Sequence, residues 1–180
     1  FQGSKELEEL NFENFSYNPA DIDFLILSHA HIDHSGRIPK LVKEGFKGKI
    51  ICTSATFDLC KIMLIDSANI QQSDVEWENR KRQRAGKKPI EPLYTVDDAE
   101  MSLKYFESYL YDQKINLNED IIVRFKDAGH ILGSAIIELW IKEKKDFTKI
   151  VFSGDLGMPG RPIIKSPEYI HEADYIIVES

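Results

Sequence analysis

The sequence is poor in cysteine, with only Cys52 and Cys60 in 180 residues. Two thiols cannot build the disulfide framework of a small secreted scaffold, so both are expected as buried free thiols in a reducing compartment. No apolar run approaches the ~20 residues that cross a bilayer, which excludes a helical membrane span and makes the cytoplasm the expected location. Positive charge is also short. Twenty-three Lys and Arg stand against 30 Asp and Glu, a net charge of −7. Bulk charge of this sign draws no nucleic acid and mildly repels phosphate, so a polyanionic substrate needs a local patch, bound metal or protein outside this chain. Internal repeats and low-complexity segments are absent.

What is present is a globular profile. Apolar residues make up 42% and charged residues 29%, and the length suits one domain with a substantial core. Residues 5–10 read as a short polar helix. Residues 22–28, Ile-Asp-Phe-Leu-Ile-Leu-Ser, form a nearly continuous apolar run, as in a strand covered on both faces. A helix opens near Gly36, with Pro39 in its first turn and Gly45 beyond its end. Residues 49–53 read as a strand. A long helical pattern runs from Ser54 towards Ala85, with Leu59, Ile62 and Met63 as its apolar stripe. Thr95 and Asp98 form a capping-box pattern, and Leu103, Phe106 and Leu110 continue that helix. Residues 121–125, 135–141 and 149–153 read as strands, and 174–179 as a last buried strand. Mixed strands and helices predict an α/β architecture.

Histidine is scarce, with five in the chain, and three of them fall in His29-Ala-His31-Ile-Asp33-His34. This cluster sits just past a strand end, where open α/β sheets place their sites. Residues 29, 31 and 33 alternate, so an extended loop would aim them to one side, with His34 turning to a neighbouring point. Three imidazoles and a carboxylate suit Zn²⁺ or a similar divalent metal. Packing alone has no reason to put them together. His130 lies between two strands in Asp127-Ala-Gly-His-Ile-Leu-Gly-Ser134, where glycines allow close backbone approach. Beside the first cluster it reads as a further ligand. His171 has no such context and reads as a surface residue. Asp155, in Ser153-Gly-Asp-Leu-Gly157, reads as a bridging carboxylate because the other ligands call for one. Arg80, Lys81, Arg82 and Arg84, with Lys87 and Lys88, form the one local basic patch. It is either a phosphate-backbone contact or a solvated helix end. Trp77 is the only aromatic residue nearby.

The series His-x-His-x-Asp-His, a lone His and then an Asp resembles the ligand set of the metallo-β-lactamase superfamily. Gly129-His-Ile-Leu-Gly-Ser-Ala135 and Ser153-Gly-Asp-Leu-Gly157 narrow the resemblance to its β-CASP branch of RNA- and DNA-processing nucleases. The resemblance implies an αββα sandwich that is incomplete here. First strands, the β-CASP insert and the C-terminal part would lie outside residues 1–180, which would form one partial domain ending at the entry to the insert. Phe1-Gln2-Gly3 would then be native sequence rather than a tag remnant. His29, His31 and His130 would hold one metal, Asp33 and His34 a second, and Asp155 would bridge them. The metals would be Zn²⁺, with Mn²⁺ the alternative, and the second site would lack one ligand. Two ions about 3.5–4 Å apart would activate a hydroxide for attack on an RNA phosphodiester. Asp33 would orient or accept its proton, and Glu179 would position a leaving-group acid. The implied function is a ribonuclease with RNA as partner and no membrane. The alternatives are an ester or thioester hydrolase of the same fold and a catalytically incompetent fragment. Open sheet edges with apolar strands also predict pairing into a homodimer.

Overall fold

The structure, a computed structural model, describes residues 4–179. The reading of residues 1–3 as native sequence falls outside the described residues. The chain begins with α1 (Lys5–Glu9), continued by a 3₁₀ turn over Leu10–Phe12. A second 3₁₀ turn, Pro19–Asp21, starts where the Asn18 side chain accepts the Ala20 N–H at 3.2 Å. β1 (Phe24–Ile26) follows. It is shorter than the 22–28 apolar run and only half-buried, so the expectation of a strand covered on both faces fails.

The segment after β1 departs from the extended loop that alternation suggested. Residues Ile32–Ser35 form a single helical turn, α2. Ser35 closes it by donating both its N–H and its hydroxyl to the His31 carbonyl, at 2.8 and 3.0 Å. Asp33 therefore leaves the line of residues 29 and 31 and points out from a helix. α3 (Ile38–Lys43) has Pro39 in its first turn, and Gly45 follows at φ +115°.

β2 (Lys49–Thr53) leads directly into α4 (Ser54–Arg84). The residues α4 buries are Thr56, Cys60, Leu64 and Ala68, spaced four apart as one helix face requires. Leu59, Ile62 and Met63 are not its buried stripe, and Ile62 is 70% exposed. Both lines have helical spacing, and only packing chooses between them. α5 (Val96–Ser102) starts with the expected capping box, in which Thr95 and Asp98 satisfy each other's backbone N–H groups. The helix does not continue to Leu110. After a 3₁₀ turn at Leu103–Tyr105 the chain extends as β3 (Phe106–Tyr109). Leu103, Phe106 and Leu110 mimic a helical period, but strand pairing satisfies the backbone of this aromatic-rich stretch instead.

β1, β2 and β3 form a three-stranded sheet in that order. The remaining strands are β4 (Ile115–Asn116), β5 (Ile121–Asp127), β6 (Ala135–Glu143), β7 (Asp146–Phe152) and β8 (Tyr175–Ile177). They make a five-stranded sheet in sequence order, antiparallel except for the parallel β7–β8 pair. β8 is not the buried strand its apolar run suggested. Tyr175, Ile176 and Ile177 are more than half exposed, because β8 is the outer strand and no described segment covers it.

The chain divides into two units. One comprises residues up to Leu25, His31–Ile50 and Leu59–Phe106, and the other Ile26–Ala30, Ile51–Asp58 and Glu107 onwards. In the first, Leu41, Phe46, Leu64, Tyr94 and Ala99 are buried. In the second, Val123, Phe125 and Ile137 are buried, and Ala128, Ile136 and Val151 form a cluster packed by Ile170 and Ala173. On the β5–β6–β7 surface, Glu138 is almost fully buried and accepts from Arg124 Nε at 2.6 Å and Lys149 Nζ at 2.7 Å. Cys52 and Cys60 are fully buried free thiols. Among the described residues no helix is long and apolar enough to cross a membrane.

Candidate metal centre

In the second unit, the stretch after β1 carries Ser28 and His29 into the interior. The Ser28 carbonyl accepts the Ala135 N–H at 2.9 Å, which ties this stretch to the start of β6. The His29 ring is fully buried. Its Nδ1 lies 3.1 Å from the Ser28 hydroxyl, and its Nε2 faces Asp155 Oδ2 at 3.6 Å. His130 approaches the same oxygen, Nε2 to Oδ2 3.4 Å. The two rings stand edge to face, 5.1 Å between centroids. One ligand atom from each of His29, His130 and Asp155 lies within 4.8 Å of the others.

The loop between β5 and β6 fixes His130 through several restraints. Gly129 and Gly133 take φ of +65° and +82°. The Ser134 hydroxyl accepts the N–H groups of His130 and Ile131, at 3.1 and 3.2 Å. The hydroxyls of Thr53 and Thr56 both donate to the Gly133 carbonyl, at 2.7 and 2.9 Å, and Tyr111 donates to the Ser134 carbonyl at 2.8 Å. A Cβ on Gly133 would come within 2.4 Å of the Thr56 nitrogen, so the loop cannot sit this close with any larger residue. Asp155 follows β7 in a loop tied to the His130 loop, where Gly157 N–H donates to the Ala128 carbonyl at 2.9 Å. Ser28, Thr53, Thr56 and Ser134 were missed by sequence reasoning. Short hydroxyl residues carry no spacing signal of their own.

These donors fit a divalent ion. With bonds of about 2.0–2.2 Å, neighbouring ligand atoms in a tetrahedral shell sit about 3.4 Å apart. The two imidazole-to-carboxylate separations of 3.4 and 3.6 Å match that spacing. The Ser28 contact at Nδ1 leaves Nε2 as the nitrogen of His29 that faces the cluster, as a metal-binding histidine requires. Glu179, also in this unit, offers a carboxylate oxygen within 4.8 Å of Asp155, while its N–H donates to the Ser153 hydroxyl at 3.2 Å.

The first unit carries the other members of the motif. His31 is the N-cap of α2 and follows His29 by two residues. Asp33 and His34 lie on α2 itself, His34 Nε2 3.8 Å from Asp33 Oδ2. The Asp33 side chain is 59% exposed and that of His34 23%. The basic run lies at the exposed end of α4. Lys81 Nζ sits 3.0 Å from the Trp77 ring centroid, and Arg82 Nε donates to the Lys88 carbonyl at 2.7 Å. His171 is exposed, as its lack of context suggested.

Three comparisons bear on this arrangement. Ribonuclease TTHA0252 of Thermus thermophilus is 30% identical over 179 residues, 99% of this chain but 36% of that protein. Transcription termination factor FttA of Methanothermobacter thermautotrophicus is 31% identical over 147 residues, 81% of this chain and 20% of that protein. The chain thus spans well under half the length of these relatives. Among solved structures, BJP-1, a subclass B3 metallo-beta-lactamase of Bradyrhizobium japonicum, aligns with a TM-score of 0.50 at 15% identity. That alignment covers 89% of this chain and 57% of the other, a likeness of fold alone. Residues 2–135 match the family model described as the metallo-beta-lactamase superfamily, and with that fold and its His/Asp cluster the chain belongs to this superfamily.

Proposed function

We propose that this chain is part of a β-CASP-type ribonuclease, a metal-dependent hydrolase that cuts RNA phosphodiester bonds. The observation that carries the reading is the convergence of His29, His130 and Asp155 on one point. Similarity to a ribonuclease over nearly the whole chain supports RNA as substrate. His29, His31 and His130 would hold one ion, Asp33 and His34 a second, and Asp155 both. Zn²⁺ suits the imidazole-rich position, and Mn²⁺ the more carboxylate-rich one. Bound divalent ions supply Lewis acidity towards the phosphoryl group and make water nucleophilic near neutral pH.

The chain's own residues do the positioning. Ser28 holds the buried His29 ring in one orientation, and the Thr53, Thr56 and Ser134 hydroxyls hold the His130 loop. Asp33, whose side chain is exposed on α2, would accept the proton of the attacking water. Glu179, anchored through its N–H to Ser153, would orient a proton-donating acid supplied by protein outside this chain to the leaving oxygen. Arg80, Lys81, Arg82 and Arg84 would neutralise the RNA backbone away from the reacting bond.

The test is metal analysis of the full-length protein, paired with cleavage assays on single-stranded RNA and on a thioester. RNA cleavage that is lost on chelation and in the His29→Ala/His31→Ala double variant is the expected result. Thioester hydrolysis without RNA cleavage would overturn the substrate assignment. RNA cleavage retained in the double variant would overturn the site.

A further inference from the structure

The first unit holds a concavity of which the metal reading uses only Asp33. It opens beside Asp33 and Gly36, and the 67–75 stretch of α4 and the 92–94 stretch line its walls. Its volume is about 380 Å³. That is near the lower end of the ~300–1,000 Å³ range of ligand pockets, room for one small group rather than a chain of them.

The wall chemistry is specific. Tyr94 is fully buried, and its hydroxyl lies 3.0 Å from the Ser67 hydroxyl, which in turn accepts from Gln71 Nε2 at 3.1 Å. This relay holds the Gln71 amide in one orientation, one turn of α4 below Asp74 and Val75. Arg37 also lines the concavity, its guanidinium 4.5 Å from the Phe15 ring centroid and donating to the Glu13 carbonyl at 3.4 Å. Phe12 lines the same concavity and is 59% exposed, although water disfavours such a surface. Asp33 and Asp74 face a single cation, Arg37, among the lining charges, so the lining has no excess of positive charge to draw a phosphate. It offers an aromatic face, an oriented amide and the Asp74 carboxylate to a neutral planar group with donors along its edge. A nucleobase has that chemistry, and single-stranded RNA presents its bases unstacked for such recognition.

We propose that this concavity receives one nucleobase of the RNA strand. This rests on the ribonuclease reading and adds to it a base subsite with Phe12 as stacking face and Gln71 as edge-reading group. Stacking on one aromatic side chain gives about a tenfold change in affinity when lost.

The experiment uses the full-length, metal-loaded protein and a short single-stranded RNA, intact or carrying one abasic residue at successive positions. The expected result is one abasic position that raises KM about tenfold with kcat nearly unchanged. Phe12→Ala should raise KM for intact RNA similarly, and should add nothing for the RNA abasic at that position. KM values that are uniform across abasic positions, or full additivity with Phe12→Ala, would overturn the subsite. Equilibrium binding of the same RNAs, followed by fluorescence anisotropy under chelation, separates the two claims. A position-specific loss of binding without any cleavage would uphold the subsite and sink the ribonuclease reading. Cleavage with no position-specific loss in either assay would do the reverse.

Discussion

The Ser28 hydroxyl lies 3.1 Å from Nδ1 of His29, and the opposite ring nitrogen faces Asp155. A buried imidazole with one nitrogen engaged has a fixed ring plane, so Ser28 sets the direction in which His29 can donate. Groups in this position typically contribute about 10–100-fold to metal affinity. Ser28→Ala should therefore weaken binding of the first metal about tenfold, read by competition with a chelating dye. It should leave the far-ultraviolet circular dichroism spectrum unchanged. Unaltered affinity would show that packing alone orients the ring.

Gly157 tests the coupling of the two ligand loops. A Cβ there would come within 1.5 Å of the Gly129 carbonyl oxygen, in a backbone contact that no side chain can vacate. Gly157→Ala must push the Asp155 loop away from the His130 loop. A loss of about 3 kcal/mol in denaturant unfolding is expected, with reduced metal content. A variant as stable as the parent and fully metallated would contradict the observed approach.

Glu138 makes the acid limb of stability specific. Burial alone would raise its carboxyl pKa, but the hydrogen bonds and charges of Arg124 and Lys149 outweigh burial and hold it below the ordinary range. A depressed folded-state pKa means stability that is fully present above the unfolded value and lost as pH falls through the folded one. Glu138→Gln should cost about 2 kcal/mol at pH 7, a difference that shrinks below about pH 4. Unfolding curves at pH 7, 5 and 3 check this, and a pH-independent difference would refute it.

Cys60 should be chemically silent. Burial pushes its thiol up to about 12, with the Ser35 hydrogen bond opposing only part of that rise. The thiolate is the reactive species, so at pH 8 neither route of attack, solvent access or ionisation, is open. A chromogenic disulfide reagent should release no thiol from Cys52 or Cys60 in the native protein, and two equivalents after denaturation. Rapid native labelling would show that the core opens.

Thr95 caps α5 and accepts the Asp98 N–H, while Asp98 returns a bond to the Thr95 N–H. Thr95→Ala should cost about 1 kcal/mol in unfolding free energy. A change under a few tenths would mean that packing, not capping, starts the helix.

Local features were legible in the sequence wherever the signal is itself local. The Thr95–Asp98 box, Pro39 at a helix start and Gly45 beyond its end involve neighbours along the chain, and they appear where expected. Other local patterns admitted two answers. Leu59, Ile62 and Met63 have the same helical spacing as Thr56, Cys60, Leu64 and Ala68, and only the surroundings of α4 decide which face is buried. Leu103, Phe106 and Leu110 suit a helix, but pairing in the three-stranded sheet made Phe106–Tyr109 a strand. The tail 175–178 is apolar enough for a core, yet its place at the sheet edge leaves it exposed.

By itself the sequence determined the donor inventory, because histidine and aspartate side chains carry atoms able to ligate a metal whatever surrounds them. The tertiary structure decided which donors meet, since His29, His130 and Asp155 come together only through strand register and the close approach of two glycine-bearing loops. It also decided that Ser28, Thr53, Thr56 and Ser134 hold those donors. A hydroxyl acquires such a role only when folding brings a particular ring nitrogen, N–H or carbonyl within hydrogen-bond reach.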